Sequence, residues 1–246
     1  MPSPLSAIPR DVLTVANLVR TSRALTRQEL ASRTGMSRNT ISTLIASAIE
    51  TGLLVPDGSA PSTGGRAPQT WRFHHEAGLI MVAGVHSSAL HLAVTDLAGH
   101  ALCQRMVDWP IMRGPEETLD EVARQMREMA ENVQASSSRP LEVWGAGVSL
   151  PGPIDQSTGR PTAPPIMPGW DRFDVRGHLD NRLGVPVAVD NDVNTMLLGY
   201  ATTLPDQRLR CPRDILYLQI GTGIGAGIMS AGHVHRGADL SLIHIS

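Results

Sequence analysis

Lysine is missing from the sequence altogether, so all 21 basic residues are arginine. Aromatic side chains make up only 3% of the chain, which leaves aliphatic residues and methionine to fill the interior. Cysteine occurs twice, at Cys103 and Cys211. That is too few for a disulfide framework or a thiolate zinc set, and fits two reduced thiols in a cytoplasmic protein. No apolar run approaches the roughly 20 residues of a membrane span. The opening Met1-Pro2-Ser3-Pro4 lacks the basic-then-apolar layout of a secretion signal. No membrane partner is expected, and a cytoplasmic location is.

The remaining composition is globular: 246 residues, 41% hydrophobic and 18% charged, enough for one large or two modest domains. The net charge of -2 conceals an asymmetry. Residues 1–72 hold 8 Arg against 4 acids, and residues 73–246 hold 13 Arg against 19 acids. A basic head on an acidic body implies an anionic partner for the head alone.

The head reads as three helices and a hairpin. Val12, Val15, Ala16 and Val19 keep helical spacing between Asp11 and Arg23. Thr26-Arg27-Gln28-Glu29 is a capping box before a short helix that Gly35 ends. Ser37 is an N-cap for a third helix, with Ile41, Leu44, Ile45, Ala48 and Ile49 on one face. Its other face carries Arg38, Asn39, Ser42 and Thr43, chemistry suited to base edges and phosphates in a major groove. Residues 53–55 and 70–73 flank a loop rich in Gly, Pro and Ser, in which Arg66 on its Gly-Gly stem suits a minor groove. The pattern is that of a winged helix-turn-helix. Its expected DNA-contacting residues are Thr26, Gln28, Ser37, Arg38, Asn39, Thr40, Ser42, Thr43 and Arg66. A plain helical bundle followed by a linker would share much of this pattern.

From about residue 78 strands and helices alternate, so the body is α/β. Strands are expected at 79–85, 90–95, 101–109, 143–150, 185–189 and 215–228, the last broken by the glycine-rich turn Gly221-Thr222-Gly223-Ile224-Gly225. Helices are expected at 116–134, opened by Pro115, at 174–183 and at 193–202. Asp155 reads as fixing the turn after Pro153, Asp190 as capping a strand end, and Trp170 as a lid on a cleft. Asn191 and Asp192 suit an N-cap on the helix that follows. His74-His75 and the His233/His235 pair have no partners at ligand spacing, so no metal is expected.

Four segments together resemble the ROK family (repressors, open reading frames and sugar kinases) in its xylose-repressor-type regulator branch. They are the head with Ser62-Thr63-Gly64-Gly65-Arg66; the run from Gly145 through Pro151-Gly152-Pro153 to Asp155; the run from Pro186 through Asp190-Asn191-Asp192 to Asn194; and Gly221–Gly227. The resemblance implies a winged helix (1–73) followed by an actin/hexokinase-like α/β body (78–239) of two lobes around a sugar cleft. It implies sugar contacts from Pro151, Gly152, Asn191 and Asp192, with Asp192 at the position of the kinase base. Gly221, Thr222, Gly223 and Gly225 would be the phosphate turn. Family kinases open the body with Gly-Ile-Asp-Leu-Gly-Gly-Thr. Here the matching run is Gly84-Val85-His86-Ser87-Ser88-Ala89-Leu90, which lacks the carboxylate and both close-approach glycines. No phosphoryl transfer and no cofactor are therefore expected, and the phosphate turn is read as vestigial. The implied partners are operator DNA, a sugar effector and a second copy of the chain. A sugar kinase with an appended winged helix, or an inactive truncated fragment, is the alternative. The family's next sugar motif and zinc loop are missing where they should follow Gly237-Ala238, and residues 240–246 match nothing in it. A truncated chain with an incomplete second lobe is the expectation drawn from that.

Overall fold

The computed structural model describes residues 4–21, 25–59, 67–164, 167–203, 214–220 and 224–236. Helix α1 (Arg10–Arg20) buries Val12, Val15, Ala16 and Val19. Helix α2 (Arg27–Thr34) starts on the expected capping box: the Thr26 hydroxyl accepts from the Glu29 amide, and the Glu29 carboxylate accepts from the Thr26 amide. It stops at Gly35, whose φ of 72° suits a residue without Cβ. Helix α3 (Arg38–Glu50) opens on Ser37, whose Oγ accepts from the Thr40 amide at 3.1 Å. Ile41, Ile45 and Ala48 are buried, whereas Ile49 is 39% exposed. Eight residues overshoot two helical turns by about 80°, which rotates Ile49 away from the face that Ile41 begins.

Strands β1 (Leu54–Ser59) and β2 (Gln69–Phe73) form an antiparallel hairpin, and a bridge from Thr26 to Thr70 ties it to the start of α2. The loop tip, including Arg66, lies outside the described residues. Trp71 and Leu54 close the helical core, and a residue from much later in the chain, Trp144, joins them. Gly78 makes room for it: a Cβ there would meet the Trp144 indole at 2.2 Å.

Strands β3 (Gly78–Val85), β4 (Ala89–Asp96) and β5 (Ala101–Asp108) make an antiparallel meander. Helix α4 (Pro115–Ser136) begins with proline at its first position and carries the chain to β6 (Glu142–Leu150), which runs parallel to β3. A small pair, β7 (Ile154–Asp155) and β8 (Arg160–Pro161), was not apparent in the sequence. Helix α5 (Val175–Leu183), capped by Asp174, leads to β9 (Val187–Asn191), parallel to β6. The sheet order is β5-β4-β3-β6-β9. Alternate residues of β3 and β4, Leu79 to Val85 and Leu90 to Val94, point into one core with Leu119, Val122 and Met126 of α4 and Val175 and Leu179 of α5. Across the top of that layer Asp120 of α4 accepts from His178 at 2.7 Å and from the Arg182 guanidinium at 2.8 Å. Trp170, expected as a lid, is fully buried in this core.

Helix α6 (Asp192–Thr203) then leads to a three-stranded antiparallel sheet of β10 (Ile215–Ile220), β11 (Ile224–Ser230) and β12 (His233–His235). Strand β12 was also missed, being only three residues long. The inner face of this sheet meets α6. Its outer face shows Leu216, Leu218 and Ile220 at more than half exposure.

Candidate functional site

Two regions gather the residues singled out from the sequence. The first is the outward side of α3. Ser37, Arg38, Asn39, Thr40 and Thr43 are exposed there, Ser42 is half-buried, and Gln28 is exposed on α2. The hydroxyls are already engaged: Ser42 donates to the Arg38 carbonyl at 2.8 Å, Thr43 to the Asn39 carbonyl, and Ser37 and Thr40 share a hydrogen bond of 2.9 Å. Thr26 is half-buried and its hydroxyl serves the capping box. Arg38 and Asn39 are therefore the side chains best able to reach outward.

The second region lies at the carboxyl ends of three neighbouring parallel strands, where open α/β sheets characteristically bind ligands. His86 follows β3, Pro151-Gly152 follow β6, and Asn191 ends β9, with Leu150 and Asn191 in register. Gly152 has a φ of 89°, and its carbonyl accepts from the Asn191 amide group at 2.8 Å. The other end of that amide, Oδ1, accepts from the Val193 and Asn194 backbone at 3.0 and 3.2 Å. Asn191 is thus the cap of α6 and the brace of the 151–152 turn together. Asp192 is half-buried, with Oδ1 accepting from the Val193 amide at 2.8 Å. Burial pushes its carboxyl above the ordinary range, against the pull of the Val193 amide and of His86. His86 shifts the opposite way: burial and the neighbouring His91 ring, 4.5 Å away, lower its pKa, and Asp192 opposes them. The ring folds back over Gly84, where a Cβ would lie 3.2 Å from Nε2. Burial thus penalises the charged form of both groups.

Asp190, read as a strand-end cap, is buried and is a hub. It accepts from Gln156 at 3.2 Å, from Asn194 at 3.3 Å and from Arg236, just past β12, at 2.8 Å. That link between the two sheets has no local sequence signal. Asp155 does fix its turn, accepting from Ser157 and Thr158. The open face of the five-stranded sheet beside Asp190 forms a groove of about 730 Å³, lined by Gly84, His91, Ser149, Gln156 and Thr195 among others. None of the four expected sugar residues lines that groove, so we take the strand ends, where the polar groups converge, as the site.

The glycine-rich turn changes meaning. Gly221, Thr222 and Gly223 lie outside the described residues. Gly225 and Gly227 sit within β11 against α6, where added Cβ atoms would come 2.5 Å from Val193 and 3.2 Å from Leu197. Their lack of a side chain leaves room for close helix–sheet packing.

Comparison with known proteins is decisive at this point, since the model of the ROK family matches residues 83–241. The chain belongs to the ROK family. A xylose repressor from Bacillus subtilis is 24% identical over 213 residues, 87% of this chain and 53% of that protein. A putative xylose repressor from Caldicellulosiruptor is 25% identical over 219 residues, 88% of this chain and 52% of the relative. A beta-glucoside kinase from Listeria monocytogenes is 40% identical, but over only 96 residues, 39% of this chain and 32% of the kinase. Among solved structures, a ROK family transcriptional regulator, homologous to the E. coli MLC protein, superimposes with a TM-score of 0.76 at 17% identity. It covers 94% of this chain and 58% of its own. That likeness extends the ROK fold over almost all of the molecule. The chain spans about half the length of the repressors it matches. Among the described residues no helix is long and apolar enough to cross a membrane.

Proposed function

We propose that this ROK protein is a sugar-responsive transcriptional repressor of the cytoplasm, reading operator DNA with residues 1–73 as a winged helix. Residues 78–239 sense a sugar or sugar derivative at the strand-end cleft, and a second copy completes the dimer that matches a palindromic operator. The observation that carries this reading is the capped helix α3, with Arg38 and Asn39 outward, joined through Trp144 to a sheet whose ligand end holds His86. Phosphoryl transfer calls for a carboxylate and bare backbone at that turn. A neutral-leaning imidazole followed by Ser88 and Ala89 supplies neither. Repressors that match nearly nine-tenths of the chain support the same conclusion.

In this reading the cleft contributes Asp192 and the turn that Asn191 braces at Pro151-Gly152. A neutral polyol suits a partly desolvated carboxylate because it donates hydrogen bonds without adding charge. Sugar binding stabilises one arrangement of head and body over another and so shifts operator affinity. The test is to select operator DNA from a random-sequence pool, then titrate the protein onto it with and without xylose and related sugars. Specific binding that weakens steeply with salt, and that one sugar changes, is the expected result. Sugar-dependent ATP consumption well above background would instead establish the kinase reading, which the Listeria kinase stretch and the retained Asp192 favour.

A further inference from the structure

The two adjacent histidines at the start of the body part company in the fold. His74 turns toward the head, its Nδ1 lying 3.1 Å from the Gly52 carbonyl. His75 turns toward the β4–β5 hairpin. Its Nδ1 lies 2.6 Å from Asp96 Oδ2, and the Nδ1 of His100 lies 2.9 Å from the same oxygen. The three atoms are all within 4.8 Å of one another. We propose that His75, Asp96 and His100 form a binding site for a divalent transition-metal ion of the zinc type, at the joint between the helical head and the α/β body.

The donor set supports that class of ion. Two imidazole nitrogens and one carboxylate oxygen suit zinc and its neighbours, whereas calcium and magnesium prefer all-oxygen shells. Three protein ligands with a water in the fourth position is a familiar zinc arrangement. Bonds of about 2.0–2.1 Å put tetrahedral ligand atoms about 3.3 Å apart, so each imidazole nitrogen would move less than about 1 Å away from Asp96 Oδ2. Each would bind through Nδ1 in its Nε2–H tautomer.

The surroundings are built to suit. Asp96 is buried, and its other oxygen accepts from the Ala98 and His100 amides, both at 2.9 Å, which aims Oδ2 at the two rings. On the far side of His75 the Glu76 carboxylate stands 4.0 Å from Nε2, positioned to take that N–H once Nδ1 holds a metal. The His100 side chain is 71% exposed, which provides an entry path and room for water. The site also bridges. His75 belongs to the turn His75–Ala77 that follows the head's hairpin, and its carbonyl accepts from Leu97 at 2.9 Å. Leu97 in turn packs against the core of the head. A metal here would cross-link the connector to the hairpin beneath it.

The test uses the full chain, stripped with a chelator and titrated with cobalt(II), then with zinc(II) in competition. We expect one saturable equivalent of cobalt with visible d–d absorption, displaced by zinc, and a zinc-dependent rise in melting temperature. His100→Ala should weaken binding at least about tenfold and abolish the thermal shift. A double variant His233→Ala/His235→Ala should bind as the parent does. Asp96→Asn should abolish binding; if it fails to fold, His100→Ala, at an exposed side chain, carries the test alone. No saturable cobalt uptake by the parent chain, or equal uptake by His75→Ala/His100→Ala, would overturn the proposal. Neither result bears on DNA or sugar binding, so the repressor reading stands or falls separately.

Discussion

The outward side of α3 and the strand-end cleft are both polar, yet they are polar in different ways. On α3 the charged group, Arg38, stands in solvent, and the hydroxyls around it are tied back to the helix. In the cleft the ionisable groups are half-buried, and burial moves Asp192 and His86 each toward its neutral form. The first arrangement suits a highly charged partner that brings its own counterions. The second suits a small neutral ligand. In the proposed reading, the second modulates the first.

The sharpest way to break this contrast is Arg38→Ala. It should cost about 1–3 kcal/mol of operator binding and lower the salt slope by roughly one if the contact is to phosphate. Melting temperature and sugar affinity should stay as in the parent; fluorescence anisotropy across a salt series measures the loss. Unchanged binding would remove α3 from the reading of DNA.

Thr26→Ala comes next, with a cost of about 1 kcal/mol in stability from the broken capping box. Urea unfolding would show it, while the salt slope for DNA should not move, because the hydroxyl already serves Glu29. A changed slope would make Thr26 a phosphate contact after all.

Asp192→Asn acts in the cleft. A carboxyl raised by folding is a stability cost that is absent below its unfolded pKa and sets in as pH rises through the folded value. The amide should therefore make the protein slightly more stable at neutral pH, with the two unfolding curves meeting in acid. Sugar affinity should fall, and DNA binding without sugar should persist.

The smallest effect is expected at Asp120, outside both regions. Hydrogen bonding from Arg182, with help from His178, holds its pKa at about 2. A depressed carboxyl contributes stability that is full above about 4 and fades as pH falls toward 2. Half the side chain is exposed, so solvent screens the gain. Asp120→Asn should lower stability modestly at neutral pH and converge with the parent near pH 2, by acid titration of the melting temperature.

What could be read in advance was whatever is local. The Thr26–Glu29 box, the Ser37 cap, Pro115 at the head of α4 and the strands at β3 and β4 are each written within a few residues, and each appears as expected. The burial of Trp170, the hub at Asp190 and the role of Gly225 depend on partners brought from afar. Arg236 is 46 residues from Asp190, and His75 is 21 from Asp96. Periodicity carries no information about such pairs. The glycines of β11 are ambiguous for a related reason: a missing side chain looks the same in the sequence whether it admits a phosphate or a helix.

Gly78 and Trp144 carry one more implication. The indole occupies the space that any side chain at position 78 would need, and among the described residues it is the one buried body residue in the core of the head, with Ile80 and Leu97 packed against it. The two codons are therefore not independent: a larger residue at 78 is tolerable only alongside a smaller one at 144. Among homologues that keep the same joint, those two positions should covary.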